Sequence, residues 1–378
     1  MKIIVDENIE KAKELFSQFG DVILLHGRKI SNEVLKDADA LIVRSITNVN
    51  KNLLENTNVK FVGTATIGRD HIDTDYLLKN NIAFADAQGC NAHAVKEYVI
   101  TALTEIFVQK GYEFKYSSIG IIGAGNIGSK VAECAEVLGM KVILNDPPLQ
   151  RKTGNKIYKS LDEALKADII TLHVPLNKEG IDKTFHLFDK EKLKSLKDGA
   201  IIINSARGSV INNDELNNVI NEKNFTVVLD VWENEPYINN SLIEKVYLGT
   251  PHIAGYSYEG KINGTRMIYS ALCRFLNVKE NFEIKAPVVE NNIIEVTHNE
   301  SIEKSLQYIF RKIYNIKEDD RRLREIKNEN DPGKYFDNLR KDYLLRREFN
   351  NYTVVIPEKN NELKKILEIL RFKVVVNR

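Results

Sequence analysis

The stretch Ser118-Ile-Gly-Ile-Ile-Gly-Ala-Gly-Asn-Ile-Gly-Ser-Lys-Val-Ala-Glu-Cys-Ala-Glu-Val-Leu-Gly-Met-Lys-Val-Ile-Leu-Asn-Asp146 decides how this chain folds. Ile119 to Ile122 is a short apolar run, the mark of a parallel strand buried on both faces. Gly123, Gly125 and Gly128 follow in G-x-G-x-x-G spacing, and Val131, Ala135 and Leu138 recur at helical spacing. Val142 to Leu144 is a second apolar strand, with Asp146 at its carboxyl end, 18 residues after Gly128. Strand, glycine turn, helix, strand and acidic residue in this order predict a dinucleotide-binding unit.

Each glycine has a separate task. Gly123 permits the tight turn, Gly125 lets a pyrophosphate approach the backbone, and Gly128 lets helix and strand pack closely. The N–H groups of Asn126 and Ile127, with the helix dipole behind them, favour an anionic phosphate. The Asp146 carboxylate can accept from ribose hydroxyls and would repel a 2′-phosphate. Pro147-Pro148 supplies no cation in its place, so NAD is expected as the cofactor, with Arg151 leaving NADP open.

Working outward, 378 residues are too many for one ordinary core, and two or three domains are expected. A content of 43% apolar and 28% charged residues is that of a soluble globular protein. A formal net charge of +1 gives no global field for nucleic acid or membrane, and neither is expected as a partner. Cys90, Cys134 and Cys273 form no C-x-x-C pair, so neither a disulfide framework nor a metal site is indicated. The start, Met1-Lys-Ile-Ile-Val-Asp-Glu-Asn8, turns acidic at once and lacks a signal-peptide apolar region. No apolar run approaches the roughly 18 residues a membrane span needs. A cytoplasmic location is expected.

The first ninety residues alternate strands and helices. Lys2 to Val5, Val22 to Leu25, Ala40 to Val43, Phe61 to Gly63 and Ile82 to Ala85 read as strands. Glu10 to Phe19, Ser31 to Ala38 and Lys51 to Asn56 read as helices. The alternation predicts a parallel sheet with helices on its faces. A helix from Ala92 to Gln109 leads into the dinucleotide unit, which continues through strands at 169–172, 200–204, 227–230 and 247–250. A helix from Gly260 to Leu276 returns to the first domain.

The pattern changes after Glu280. Val288 to Val296 reads as strands and Ile302 to Asn315 as a helix. A charged stretch with Arg321, Arg322 and Arg324 follows, then Asp331-Pro332-Gly333 as a turn. Tyr335 to Arg347 and Asn361 to Leu370 read as helices, and Thr353 to Ile356 and Phe372 to Val376 as strands. The expected architecture is α/β. A substrate domain spans 1–92 with 258–280, a dinucleotide domain 93–257, and a small α+β domain 281–378.

Three motifs place ionisable groups just past strand ends, where open α/β sheets hold their ligands. They are Ile203-Asn-Ser-Ala-Arg-Gly208, Leu229-Asp-Val-Trp-Glu-Asn-Glu-Pro236 and Gly249-Thr-Pro-His-Ile-Ala-Gly255. In these motifs and their order, residues 1 to 280 resemble the D-isomer-specific 2-hydroxyacid dehydrogenases. The resemblance implies a flavodoxin-like substrate domain, a Rossmann NAD domain and a catalytic set of Arg207, Glu235 and His252. It also implies cofactor contacts at Val174, Ala206, Asp230 and Gly255. Val174 stands where threonine is expected, so a backbone contact can survive there and a hydroxyl contact cannot.

These roles are chemically sound. Hydride removal from C2 of a 2-hydroxy acid requires that its hydroxyl lose a proton. Histidine, which ordinarily titrates about pH 6.5, is the right type of base. A glutamate can orient it and stabilise its protonated form. An arginine fork can polarise the C2 oxygen and hold the carboxylate. His173, after the 169–172 strand, is open to two readings, a neighbour of the nicotinamide or a buried structural histidine. Trp232 reads as a wall residue and Cys90 as packing.

The substrate half narrows the class. Ala40-Leu-Ile-Val-Arg-Ser-Ile-Thr47, Lys60-Phe-Val-Gly-Thr-Ala-Thr-Ile-Gly-Arg-Asp-His-Ile72, Gly89-Cys-Asn-Ala92, Asn145-Asp-Pro-Pro148 and Leu339-Arg-Lys-Asp-Tyr-Leu-Leu-Arg-Arg-Glu-Phe349 resemble one branch of that family. Its substrate is a phosphorylated 2-hydroxy acid. This resemblance implies that Ser45, Thr66 and Tyr256 bind substrate and that 281–378 forms a homodimer. Arg44, just past a strand end, is a candidate for the phosphate, and Arg69 is a further one. Arg346 and Arg347 read either as a phosphate contact across a dimer or as a solvated helix face. Two alternatives stay open: a dehydrogenase of another acid such as 3-phosphoglycerate or glyoxylate, and a non-catalytic NAD-sensing protein.

Overall fold

In the computed structural model, residues 1–297, 300–344, 346–358 and 360–377 are described. The chain divides into two compact units. One comprises Met1–Asn91 with Ser257–Val288, and the other Ala92–Tyr256 with the chain from Val289. No helix among the described residues is long and apolar enough to cross a membrane.

The first unit is a five-stranded parallel sheet of β1 (Lys2–Asp6), β2 (Asp21–Leu25), β3 (Ala40–Val43), β4 (Phe61–Thr64) and β5 (Ala83–Asp86), in the order β2-β1-β3-β4-β5. That is the flavodoxin-like order. The central strands β3 and β4 are buried throughout, which is why they read as unbroken apolar runs. The helix Tyr258–Leu276 covers one face, placing Ile268, Tyr269 and Leu272 against Phe16 and Phe61. A separate core of Leu35, Leu41, Val62 and Leu77 fills the other face. The helix Thr74–Lys79, absent from the sequence expectation, is capped by Asp73, which accepts from the Tyr76 N–H.

The second unit is built on six parallel strands, β6 (Ser118–Ile122), β7 (Lys141–Asn145), β8 (Ile169–Leu172), β9 (Ile201–Asn204), β10 (Thr226–Leu229) and β11 (Leu248–Gly249), in the order β11-β10-β9-β8-β6-β7. Tyr158 adds a single parallel bridge to Leu144 on β7 at that edge. The order reverses beside β6, so the glycine turn after β6 lies at the switch point where doubly wound sheets bind ligands.

Residues beyond Val289 belong to this second unit. They form the parallel sheet of β12 (Ile293–Glu295), β13 (Thr353–Ile356) and β14 (Lys373–Val376), in that order. Leu306, Ile309, Phe310, Leu363 and Ile366 share one core with Val99, Leu103 and Ile119. The helix Ala92–Lys110 is consequently buried nearly all round, as a helix apolar on every side must be. Three of its charged residues find partners in the same segment. Arg311 Nε donates to Glu105 at 2.6 Å, the Phe349 N–H donates to Glu97 at 3.1 Å, and Lys96 reaches the Leu370 carbonyl at 3.4 Å.

Three readings in this segment need correction. The turn at Asp331-Pro332-Gly333 is the start of the helix Pro332–Lys341, with Asp331 accepting from the Lys334 N–H and proline in the first turn, where no donor is needed. The charged stretch is itself a helix, Ile316–Arg324, seated by Ile316 and Leu323. The helix expected over 335–347 ends at Lys341, and Leu345 lies outside the described residues. All three cysteines are buried.

Candidate active site

The glycine turn carries out its three tasks differently. Gly123 has a φ of +90°, and a Cβ on it would lie 2.6 Å from the His173 carbonyl oxygen. A Cβ on Gly128 would overlap the Gly123 carbonyl oxygen, so the helix Gly128–Val137 can start this close only without a side chain. A Cβ on Gly125 would meet nothing within 4 Å. Gly125 and Asn126 are exposed, and no side chain caps the helix that begins after Ile127. An open glycine beside an uncapped helix start suits a pyrophosphate.

Asp146 already holds two structural bonds. Its Oδ1 accepts from the Leu149 N–H at 2.9 Å, capping the helix Pro147–Thr153, and its Oδ2 accepts from the Ala124 N–H at 2.9 Å. A carboxylate offers about four acceptor positions, so capacity for ribose hydroxyls remains. Arg151, the one nearby cation that kept NADP open, donates to Asp182 at 2.6 Å. Its charge is thus already paired with a carboxylate.

The three downstream motifs converge past β9, β10 and β11. After β9, Asn204 folds the turn by accepting from the Ala206 N–H at 3.0 Å and donating to the Arg207 carbonyl at 2.9 Å. Arg207 is half-buried, and its Nη1 donates to the Ala206 carbonyl at 2.7 Å. A Cβ on Gly208 would overlap the main chain of Trp232 and crowd the Glu233 nitrogen, so glycine is required for this loop to meet the next. After β10, the Trp232 N–H donates to Glu235 Oε1 at 2.9 Å. Glu235 precedes a cis proline, Pro236.

After β11, His252 takes a left-handed φ of +57°, and its N–H donates to the Asp230 carbonyl at 2.7 Å. That conformation turns the imidazole so that Nδ1 lies 2.8 Å from Glu235 Oε2. The carboxylate can only accept, so the Nδ1 proton faces it, and in the neutral imidazole the lone pair is then on Nε2. Burial by itself would raise the Glu235 carboxyl. The facing His252, the hydrogen bond to it and the charge of Arg340 outweigh that and hold it below the usual range. A carboxylate carboxyl-to-imidazole pair with an open Nε2 is equipped to take a proton.

Asp230 is buried and works on the same turn. Its Oδ1 accepts from the Thr250 hydroxyl and the Ile253 N–H, both at 2.7 Å, and its Oδ2 from the Ala254 N–H at 3.0 Å. Burial pushes this carboxyl up despite those donors. One acceptor position stays open on Oδ2, enough for one further N–H. Ala206 is buried, and Gly255 is half-buried in the turn after Ala254.

His173 is a structural residue by its surroundings. Its Nε2 meets the Thr171 hydroxyl at 2.9 Å, its Nδ1 is buried without a partner, and burial pushes it down to about 3, so it is neutral. Val174 packs on the core, with Cγ1 close to the Gly123 turn. Trp232 is more than a wall, because its indole N–H donates to the Thr250 carbonyl at 3.0 Å. A second histidine–carboxylate pair escaped the sequence reading: His186 Nε2 lies 2.7 Å from Glu233 Oε1, whose Oε2 accepts from the Asn213 N–H at 2.8 Å. No local pattern joins residues 47 positions apart in the chain.

In the first unit, Arg44 and exposed Ser45 follow β3, and Thr66 follows the adjacent β4. Thr66 Oγ1 lies 2.9 Å from Thr64 Oγ1, which lies 3.0 Å from His71 Nε2. His71 was not singled out by sequence, although it stands inside the quoted Lys60-to-Ile72 motif. Arg69 is exposed. In the second unit the Tyr256 ring meets Tyr343 edge-on at 5.9 Å, and the Arg340 guanidinium lies 5.9 Å from its centroid.

Arg346 and Arg347 do not form a solvated helix face. Both are buried, outside any helix. Arg346 Nη2 donates to the Ala254 carbonyl at 2.5 Å and the guanidinium stacks 4.6 Å over Tyr314, while Arg347 donates to Asn351 at 2.9 Å. Carbonyl acceptors and an aromatic face make burial of these charges tolerable.

Residues 105–254 match the family model of the D-isomer specific 2-hydroxyacid dehydrogenase NAD binding domain. Residues 286–369 match a domain described only as being of unknown function. Erythronate-4-phosphate dehydrogenase of Escherichia coli O139:H28 is 43% identical over 358 residues, 94% of this chain and 94% of that protein. Its counterpart in Photorhabdus laumondii is 43% identical over 98% of this chain and 99% of that protein. Among solved structures, NAD-bound 3-phosphoglycerate dehydrogenase of Entamoeba histolytica superposes with a TM-score of 0.62 at 28% identity, covering 73% of this chain and 95% of that one. D-Lactate dehydrogenase of Aquifex aeolicus, complexed with NAD and lactic acid, gives 0.59 at 26% identity, covering 73% and 96%.

Proposed function

This chain belongs to the D-isomer-specific 2-hydroxyacid dehydrogenase family, and from that premise we propose that it oxidises 4-phospho-D-erythronate to 2-oxo-3-hydroxy-4-phosphobutanoate, a step toward pyridoxal 5′-phosphate. It is an NAD-dependent oxidoreductase. The observation that carries the proposal is the Glu235–His252 pair, with Nδ1 held at 2.8 Å and Nε2 left as a base, in a chain whose likeness to erythronate-4-phosphate dehydrogenases covers 94% to 98% of its length.

NAD, when bound, accepts the hydride released from C2. The chain's own residues do the rest. His252 Nε2 takes the C2 hydroxyl proton, and Glu235 stabilises the resulting imidazolium. Arg207 offers its fork to the substrate carboxylate and to the C2 oxygen. Gly123, Gly125, Asn126, Ile127 and Gly128 form the pyrophosphate cradle, and Asp146 takes the ribose hydroxyls. Val174, Ala206 and Gly255 contribute backbone to the cofactor site, and the open position on Asp230 suits a carboxamide N–H. Ser45, Thr66 and Tyr256 bind substrate, and Arg44 supplies charge for its phosphate.

A homodimer through the C-terminal segment, in the cytoplasm, completes the reading. Its support is the small sheet, whose edge strands β12 and β14 leave Ile293, Val375 and Val376 exposed. Because that segment shares a core with the NAD-binding sheet, a deletion would damage both. Charged substitutions at Ile293 and Val375, followed by light scattering, are the better probe, and an unchanged dimer would reject these edges as the interface.

The function is tested by following NADH absorbance with 4-phosphoerythronate, erythronate and 3-phosphoglycerate in parallel. A strong preference for 4-phosphoerythronate is expected. Activity on 3-phosphoglycerate alone would keep the chemistry and reject the substrate. NADH binding without turnover of any of them would favour an NAD sensor.

A further inference from the structure

Arg340 stands on the helix Pro332–Lys341, more than 80 residues beyond the last motif of the catalytic set. The helix is seated directly against the loop that carries Glu235. Phe336 and Leu339 share a core with Trp232. Gly333 lies under Tyr237, where a Cβ would come within 2.6 Å of the ring. The next turn of the helix brings Arg340 beside Tyr256, its guanidinium 5.9 Å from the ring centroid. Its charge acts on Glu235, Tyr256 and Asp337.

Other arginines of this segment are committed. Arg311 grips Glu105 with two bonds of 2.6 Å, and Arg324 donates to Asp320 and to the carbonyls of Ile243 and Val246. Arg340 is bonded to Tyr256, but its Nε is buried and has no hydrogen-bond partner, a condition it shares with Nε and Nη1 of Arg346, which lies away from the Glu235 loop. A buried charged donor left unmet is unfavourable, and an anionic ligand would remove that penalty. The expected substrate carries two anions, a carboxylate at the reacting end and a phosphate three carbons away. Arg207 is occupied with the first.

We propose that Arg340 is a specificity-determining residue that, with Tyr256, binds the terminal phosphate of the phosphorylated 2-hydroxy acid. This rests on the reading given under Proposed function. The planar fork matches two phosphate oxygens, and Tyr256 backs it as an aromatic face. The C-terminal segment would then supply a substrate group of its own.

The test uses the full-length enzyme as wild type, Arg340→Met and Arg340→Lys. Steady-state kcat and KM are measured with 4-phosphoerythronate and with erythronate, together with competitive inhibition by inorganic phosphate. NADH binding, followed by fluorescence, reports on the fold. In Arg340→Met, KM for 4-phosphoerythronate should rise about tenfold or more, as expected for a lost charged hydrogen bond. KM for erythronate should hold, phosphate inhibition should weaken in parallel, and Arg340→Lys should recover part of the loss. Equal effects on both substrates, or a fall in kcat alone, would overturn the proposal and leave Arg340 as a positioning residue for Glu235. If Arg340→Met no longer binds NADH, Arg340→Lys decides, and an unaltered KM and phosphate inhibition there overturn the proposal. A wild type indifferent to the phosphate would instead reject the parent reading.

Discussion

The indole N–H of Trp232 donates to the Thr250 carbonyl at 3.0 Å, and this bond ties the loop carrying Glu235 to the loop carrying His252. The same indole packs at Gly249, where a Cβ would lie 2.9 Å from Cζ2, and the Trp232 main chain is the surface that Gly208 abuts. One residue therefore sets the spacing of all three loops. Trp232→Phe keeps most of the ring but leaves a buried carbonyl unpaired. It should destabilise the protein by about 1–3 kcal/mol and lower kcat with little change in NADH affinity. Urea unfolding and steady-state kinetics check this, and full activity in the variant would show that the loops are held by other means.

Gly125 and Gly128 should separate binding from folding. Gly125→Ala meets no atom within 4 Å and should unfold like the wild type while weakening NAD binding. Gly128→Ala collides with the Gly123 carbonyl oxygen, a backbone atom that cannot swing away, and should lose about 1–3 kcal/mol of stability. Thermal melts and NADH titrations of the two variants distinguish these effects; equal melting losses would contradict the account.

His252→Ala removes the Nε2 base and should reduce kcat by about 10²-fold or more. NADH affinity should barely move, because no part of the glycine turn depends on the imidazole. Near-normal turnover would rule out His252 as the base.

Glu97 predicts an unusual pH dependence. Burial pushes its carboxyl up to about 8, against the opposing charge of Lys96. A group raised on folding contributes stability fully below its unfolded value, about 4.3 for glutamate. That contribution is lost as pH rises through the folded value. Glu97→Gln keeps an acceptor for the Phe349 N–H and should gain on the wild type in urea midpoint as pH rises from about 4.5 to 8. A constant difference across that range would mean that Glu97 ionises normally.

Arg44→Ala should raise KM for 4-phosphoerythronate more than for erythronate, because its charge is useful only to the phosphate. Equal effects would remove Arg44 as a phosphate ligand.

Legibility in the sequence followed burial. Ala40–Val43 and Ile169–Leu172 are buried at every residue, so their composition alone marks them as strands. The helix Thr74–Lys79 buries only Leu77, and Ile316–Arg324 carries charges over most of its length, so neither shows a clear apolar stripe. Arg207, Glu235 and His252 each stand in a short motif just past a strand end, and the family resemblance of those motifs is what singled them out. The glycine of the first motif meets Trp232 of the second, 24 positions on, and only the fold reveals that contact. Arg346 looked solvent-facing because charge usually is; the Ala254 carbonyl and the Tyr314 ring that receive it lie far away in the chain.

Both units are discontinuous, and this has a consequence on the ribosome. Residues 1–91 cannot seal their sheet until the helix Tyr258–Leu276 has emerged. The helix Ala92–Lys110 must wait still longer, until Leu306, Phe310 and Ile366 arrive to cover its flank. At about 5–20 residues per second, translation leaves that apolar flank open for roughly ten seconds or more. The nascent chain thus passes through a long interval with two half-built cores, whose apolar faces can be covered only by residues still to be synthesised.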